Sequence, residues 1–186
     1  MTSSMLARPV AASQAPLLAR PYYSEQGTSP IVTSLAHVPE ALAVTMPFIA
    51  TVLGPSAIGA RTKELAILRT SARLGCEYCV SSHSVVALDS GCTAAEVRAL
   101  RVGTDEGDAV FSASERALLG WVDAVAGATG AVAPTAAADL AAHYDEAEIV
   151  ELTLLCAATV MLNRYCTALG LPVSAATVER LAAEGL

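Results

Sequence analysis

Aromatic side chains are scarce in this chain. Two phenylalanines, one tryptophan and five tyrosines serve 186 residues. An aromatic-rich β-sandwich core is therefore not expected, and close-packed helices of alanine, leucine and valine are. Lys63 is the only lysine, and 11 basic residues face 18 acidic ones, for a net charge of -7. Without a basic patch, nucleic acid is not an expected partner. Long apolar runs are also missing. The longest uncharged one, Leu152 to Leu162, is too short to span a bilayer and reads as a buried helix. No apolar run follows the first charge at the N-terminus, so neither a signal peptide nor membrane association is expected. No segment alternates with period two, so no sheet is expected.

What is present is 54% apolar sequence, enough for one domain with a substantial core. Residues 1–34 hold Pro9, Pro16, Pro21 and Pro30 without a sustained period. They read as an irregular arm, either a loose tail or a strap for a neighbouring subunit with Tyr22 and Tyr23 adding area. Residues 35–186 read as a single helical domain of about seven to eight helices. Pro39 opens the first, which runs to about Val52 before Gly54-Pro55-Ser56 breaks it. The second covers 61–73 and meets the third across a tight Leu74-Gly75 link. Thr93 with Glu96, Ser112 with Glu115, and Asp145 with Glu148 have the spacing of capping boxes. Thr135 is expected to cap a short helix to Tyr144. Asp145 opens a long helix through Leu169, stopped by Gly170 and Pro172, and Ser174 caps the last.

Five cysteines (76, 79, 92, 156 and 166) form an odd set without the spacing of a disulfide framework. One working pair in a reducing cytoplasm fits that pattern. Cys76 and Cys79 are that pair, at the start of the third helix. Unpaired N–H groups and the helix dipole favour an anion there, which lowers a thiol pKa. His83 lies one turn beyond Cys79, about 6 Å along the axis, in reach of a proton exchange. If the second and third helices form a hairpin, Glu64 and His83 are nearly equidistant from the Leu74-Gly75 link. They should then face one another at the same depth, with the carboxylate fixing the imidazole tautomer.

Other readings of these residues are simpler. Cys76 and Cys79 could be packing thiols, and Cys76, Cys79 and His83 could be three zinc ligands with Glu64 or Cys92 as the fourth. Cys156 and Cys166 read as core thiols, and Asn163-Arg164 as a bridge between helices or subunits. His37 and His143 have no partner pattern. Helix position makes Cys76 the exposed nucleophile, whereas His83 and Glu64 lie on the Cys79 side and favour Cys79.

The pattern Glu64, eleven residues, Cys76-x-x-Cys79, three residues, His83 resembles the alkyl hydroperoxidase D (AhpD)-like group of the carboxymuconolactone decarboxylase superfamily. Arg61-Thr-Lys-Glu-Leu-Ala-Ile-Leu-Arg69 and Gly75-Cys-Glu-Tyr-Cys79 are similar too. The likeness is sharp over about 60–92 and diffuse to about 170. It implies an all-α bundle whose helix hairpin carries the CxxC, assembled as a trimer or hexamer. It implies a thiol-dependent peroxidase or disulfide oxidoreductase in antioxidant defence, needing no cofactor and no metal. In that pattern Cys79 attacks the hydroperoxide, Cys76 resolves the sulfenic acid, Glu64 and His83 relay protons, and a dithiol or thiol protein restores the pair. The alternatives are a disulfide reductase serving a peroxiredoxin, or a non-catalytic redox-sensing oligomer. The hydroperoxidase has a second histidine between the cysteines, where this chain has Tyr78. The decarboxylases lack the pair, so lactone decarboxylation is not expected.

Overall fold

The computed structural model describes residues 5–25, 27–102 and 108–186, and every regular element among them is helical. In chain order these are α1 (Pro30–Leu35), α2 (Pro39–Leu53), α3 (Ala60–Arg73), α4 (Glu77–Asp89), α5 (Ala94–Val102), α6 (Ala113–Val125), α7 (Pro134–Ala141), α8 (Glu146–Leu169) and α9 (Ala175–Ala183). The all-α expectation holds. The helix beyond those expected is α1, which begins inside the segment read as irregular. Ser29 accepts the Val32 N–H and Pro30 occupies the first turn. A proline there loses no hydrogen bond, so Pro30 opens a short helix at the end of the arm. Residues 1–4 and 26 of the expected arm lie outside the described residues. The rest of the arm packs on its own chain. Val10, Tyr22 and Tyr23 lie against a small core of Ala19, Val32, Ala36 and Leu42, and Leu6 N–H donates to the Leu169 carbonyl at 3.0 Å.

The capping boxes form as the sequence spacing requires. Ser112 and Glu115 close one at the start of α6, and Asp145 and Glu148 close another at the start of α8. Thr93 and Glu96 exchange the same pair of bonds before α5. Ser174 caps α9 by accepting from Thr177 N–H. Thr135 is a correction. Pro134 takes the first helical position of α7, so the cap falls to Ala133, which makes no side-chain bond, and α7 stops at Ala141.

Helix α3 is the axis of the fold, packed against α4, α5, α6 and α8. Nine consecutive residues, Lys63 to Ser71, are buried. Leu65, Ile67 and Leu68 add about 1.5–3 kcal/mol each through apolar burial. The polar members are buried only because each has partners. Lys63 Nζ donates to the Val52 and Gly54 carbonyls and pairs with Glu151 at 2.9 Å. Arg69, 0% exposed, grips both oxygens of Asp123 on α6 at 2.8 Å each. Arg61 bridges α5 and α6 through Glu96 and Glu115.

Helix α8 is long and apolar enough to cross a membrane by length and composition. Here it is a core helix, with Leu152, Leu155, Cys156, Ala158, Thr159, Asn163 and Cys166 buried.

Candidate functional site

The hairpin of α3 and α4 builds the site. Its turn is a Schellman motif. Gly75 takes φ +65, its N–H bonds the Ala72 carbonyl, and the Cys76 N–H bonds the Ser71 carbonyl at 3.1 Å. This delivers Cys76 as the residue capping α4 and Cys79 one turn inside it. The helices then run back alongside each other. Nδ1 of His83 comes 2.9 Å from Oε2 of Glu64, the facing pair expected from the symmetry of the link. A carboxylate only accepts, so Nδ1 carries the hydrogen and Nε2 is left as the proton acceptor.

The sulfurs of Cys76 and Cys79 are 2.8 Å apart, and both residues are buried and unbonded. A third sulfur joins them. Cys166, from the last turns of α8, shares their buried cluster with Leu171 and lines the cleft beside Cys76. From the sequence Cys166 is expected to be a core thiol. The structure puts it in the site.

Within the trio the three thiols shift in different directions. The Cys76 thiol pKa is lowered, first by the hydrogen bond from Cys166, then by that from Cys79, against burial. Thr167 adds a hydroxyl donor. The Cys79 backbone N–H adds a smaller lowering, without the geometry of a true side-chain cap. Thus the helix start contributes, but neighbouring thiols contribute more. Cys79 is raised, by its hydrogen bonds to Cys166 and Cys76 and by burial. Cys166 is also raised, first by its bond to Cys76.

Two cavities meet at the pair. An inner one of about 80 Å³ is lined by Cys79, His83, Ser71, Asn163, Tyr78 and Ile31, among others. A wide cleft of about 660 Å³ is lined by Cys76, Cys166, Tyr78, Thr167 and the Gly170–Val173 bend, among others. Tyr78 borders both. Burial pushes its hydroxyl up to about 12, with the neighbouring sulfur charges adding, so it stays protonated beside Ser82. It is a donor and a wall, not a second proton-transfer base.

The sequence leads to Asn163 as a bridge between helices or subunits. Its Nδ2 indeed donates to Ser71 Oγ on α3 at 3.2 Å and to the Thr159 carbonyl at 2.6 Å. Its Oδ1, however, is buried without a partner, and the residue lines the inner cavity. The common face of Thr159, Asn163 and Cys166 at helical spacing was the available signal for both residues.

Cys92 and Cys156 lie outside this cluster. Burial raises their thiols, to about 11 and about 12, which leaves them poor nucleophiles. Among the described residues no group of three or more histidine, cysteine or acidic side chains has the arrangement of a metal site.

The carboxymuconolactone decarboxylase family model matches residues 39–124, which include α3, the turn and α4. No curated protein matches the chain significantly. Among solved structures, a protein of unknown function from Agrobacterium tumefaciens, ATU0492, for which a role in antioxidant defence as AhpD has been suggested, is 31% identical. The match covers 75% of this chain and 96% of that one, with a TM-score of 0.69. An uncharacterised peroxidase-related protein with an AhpD core, from Ralstonia eutropha JMP134, is 17% identical over 92% and 96% of the two chains, with a TM-score of 0.77. The debrominase Bmp8, bound to 2,3,4-tribromopyrrole, is 22% identical over 99% and 100%, with a TM-score of 0.81. At those lower identities the last two speak for the fold alone. Family match, identity and the facing Glu64–His83 geometry agree: the chain belongs to the AhpD-like group of the carboxymuconolactone decarboxylase family.

Proposed function

We propose that the protein is a thiol-dependent peroxidase working through Cys79 and Cys76. One observation carries this reading: Cys79 and the Glu64-bound His83 line the same small cavity, with Cys76 touching Cys79 from the other side. The raised Cys79 thiol needs a base, and His83 Nε2 is the group placed to take its proton, directly or through water. The Cys79 sulfur attacks the distal oxygen of a small hydroperoxide. The O–O bond breaks, the alkoxide leaves with the proton from His83, and Cys79 becomes a sulfenic acid. Cys76, already favoured as thiolate, attacks that sulfur and expels hydroxide, which is protonated to water. A lowered pKa suits a resolving thiol that must act at once. An external dithiol or thiol protein then reduces the Cys76–Cys79 disulfide by exchange.

A second reading, a disulfide reductase for a partner protein, is favoured by the Cys76 thiolate lining the wide cleft. We assign the protein a reducing compartment such as the cytoplasm, and self-association as a trimer or hexamer. Exposed Val44 and Phe48 on α2 and Val150, Leu154 and Met161 on α8 suit such association.

The test is turnover of a small hydroperoxide with a dithiol donor. It should be lost in Cys79→Ser and in Cys76→Ser, and peroxide-treated Cys76→Ser should carry a dimedone-trappable sulfenic acid at Cys79. Sulfenic acid on Cys76 in the Cys79→Ser variant would reverse the two roles. Peroxide inertness with reduction of a protein disulfide would select the second reading.

A further inference from the structure

The two cavities divide the three sulfurs. Cys79 lines the inner cavity and is not part of the cleft wall, whereas Cys76 and Cys166 line the cleft and not the inner cavity. A space of about 80 Å³ beside Cys79 holds a small peroxide but no reducing dithiol of protein or cofactor size. Oxidising equivalents made on the inner side must therefore leave by the outer side. Cys166 stands where they would leave, in one buried cluster with Cys76 and 1% exposed on the wall of the cleft.

We propose that Cys166 is a third redox thiol, which takes the disulfide over from Cys79 and presents it to the reductant as a Cys76–Cys166 bond. The Cys166 sulfur attacks Cys76 of the Cys76–Cys79 disulfide. The Cys76–Cys79 bond breaks, the Cys76–Cys166 bond forms, and Cys79 leaves as thiolate and takes the proton that Cys166 gives up. Nothing is oxidised or reduced overall. An external dithiol entering the cleft then reduces Cys76–Cys166 to two thiols and leaves as its own disulfide. Meanwhile Cys79 faces the inner cavity again as a thiol.

The electrostatics run in the required direction. The largest influence raising Cys166 is its bond to Cys76. Once Cys76 is in a disulfide it carries no charge, that influence ends, and Cys166 ionises more readily. The nucleophile is thus restrained while the pair is reduced and released when it is oxidised.

The inference rests on the redox reading of Cys76 and Cys79, and one experiment separates the two. Wild type and Cys79→Ser are treated with diamide and their disulfides mapped by peptide mass spectrometry without reduction. Cys79→Ser is expected to form an intramolecular Cys76–Cys166 bond, leaving two of its four thiols titratable. If it keeps all four while wild type forms Cys76–Cys79, the shuttle is overturned and the redox pair stands. If wild type forms neither a Cys76–Cys79 nor a Cys76–Cys166 bond, the pair and the shuttle fall together. In addition, Cys166→Ser and Cys166→Ala should recover their Cys76 and Cys79 thiols about tenfold more slowly after stoichiometric oxidation, when a dithiol is added. Recovery at the wild-type rate in the folded variants overturns the proposal.

Discussion

Glu64 and His83 meet at 2.9 Å across two helices that the chain joins by a three-residue link. The bond fixes which imidazole nitrogen is available and holds the ring against the inner cavity. Glu64→Gln keeps the size of the side chain but cannot stabilise an imidazolium. Hydroperoxide turnover should fall about 10²-fold, the usual scale for losing general acid–base assistance. Alkylation of Cys76 in the same variant should proceed as in wild type, because its charge is set by other thiols. Steady-state kinetics and a labelling time course together check this.

The resting charge distribution predicts which thiol reacts first with a small alkylating reagent. Cys76 should label ahead of the others, and its rate should stay high as pH drops below neutrality, because its thiolate persists where an ordinary thiol is protonated. Cys166→Ser keeps a hydroxyl donor, whereas Cys166→Ala removes the largest stabilising bond. The alanine variant should shift the Cys76 labelling profile to higher pH. A profile unchanged in Cys166→Ala would show that the charge is held by something else.

Gly75→Ala tests the turn. A Cβ there meets no atom within 4 Å, so the only cost is the left-handed backbone at φ +65. That is about 1–2 kcal/mol, and chemical denaturation should show it. If the Schellman turn also places Cys76, the variant will form the Cys76–Cys79 disulfide more slowly than wild type under the same oxidant.

Acid should loosen the contact between α3, α5 and α6. The Arg61 hydrogen bond leads the forces that hold Glu96 at about 2, below its ordinary 4.5. Burial works against Glu115, yet Ser112 and Arg61 lower it overall. A carboxylate lowered by folding stabilises the fold fully above its unfolded value and loses that contribution as pH falls through the folded one. The melting temperature should therefore drop between pH 4.5 and about 2. Arg61→Leu should flatten that drop, measured by thermal unfolding across the range.

The Arg69–Asp123 pair offers a stability test remote from the thiols. Asp123→Ala leaves a fully buried guanidinium without its bidentate partner, a change that costs about 3–5 kcal/mol in comparable sites. The double variant Arg69→Met, Asp123→Leu should recover much of this. Denaturant midpoints of the single and double variants decide it.

The helices were legible where termini carry their own chemistry. Asp145 with Glu148 and Ser112 with Glu115 name their helix starts outright. The Glu64–His83 contact was legible because a hairpin maps sequence distance onto depth. The Thr135 cap fails because Pro134 beside it claims the first helical position, which moves the cap back by two residues to Ala133. Cys166 could not be found by spacing from Cys79, since the long intervening chain carries no metric information. Its place depends on how far α8 is rotated about its own axis, and packing against α3 and α4 sets that rotation. Asn163 was half legible. Its amide does join two helices, but which of its atoms stays unpartnered emerges only from the assembled core.

Ser71 is used twice, by the main chain for the turn that positions Cys76 and by its hydroxyl for Asn163 on α8. One residue thereby gears the floor of the inner cavity to the seat of the cleft-facing sulfur. A ligand that pulled Asn163 toward itself would load the same joint that sets the reach of Cys76. The inner chamber and the cleft thus share one residue as a common hinge pin.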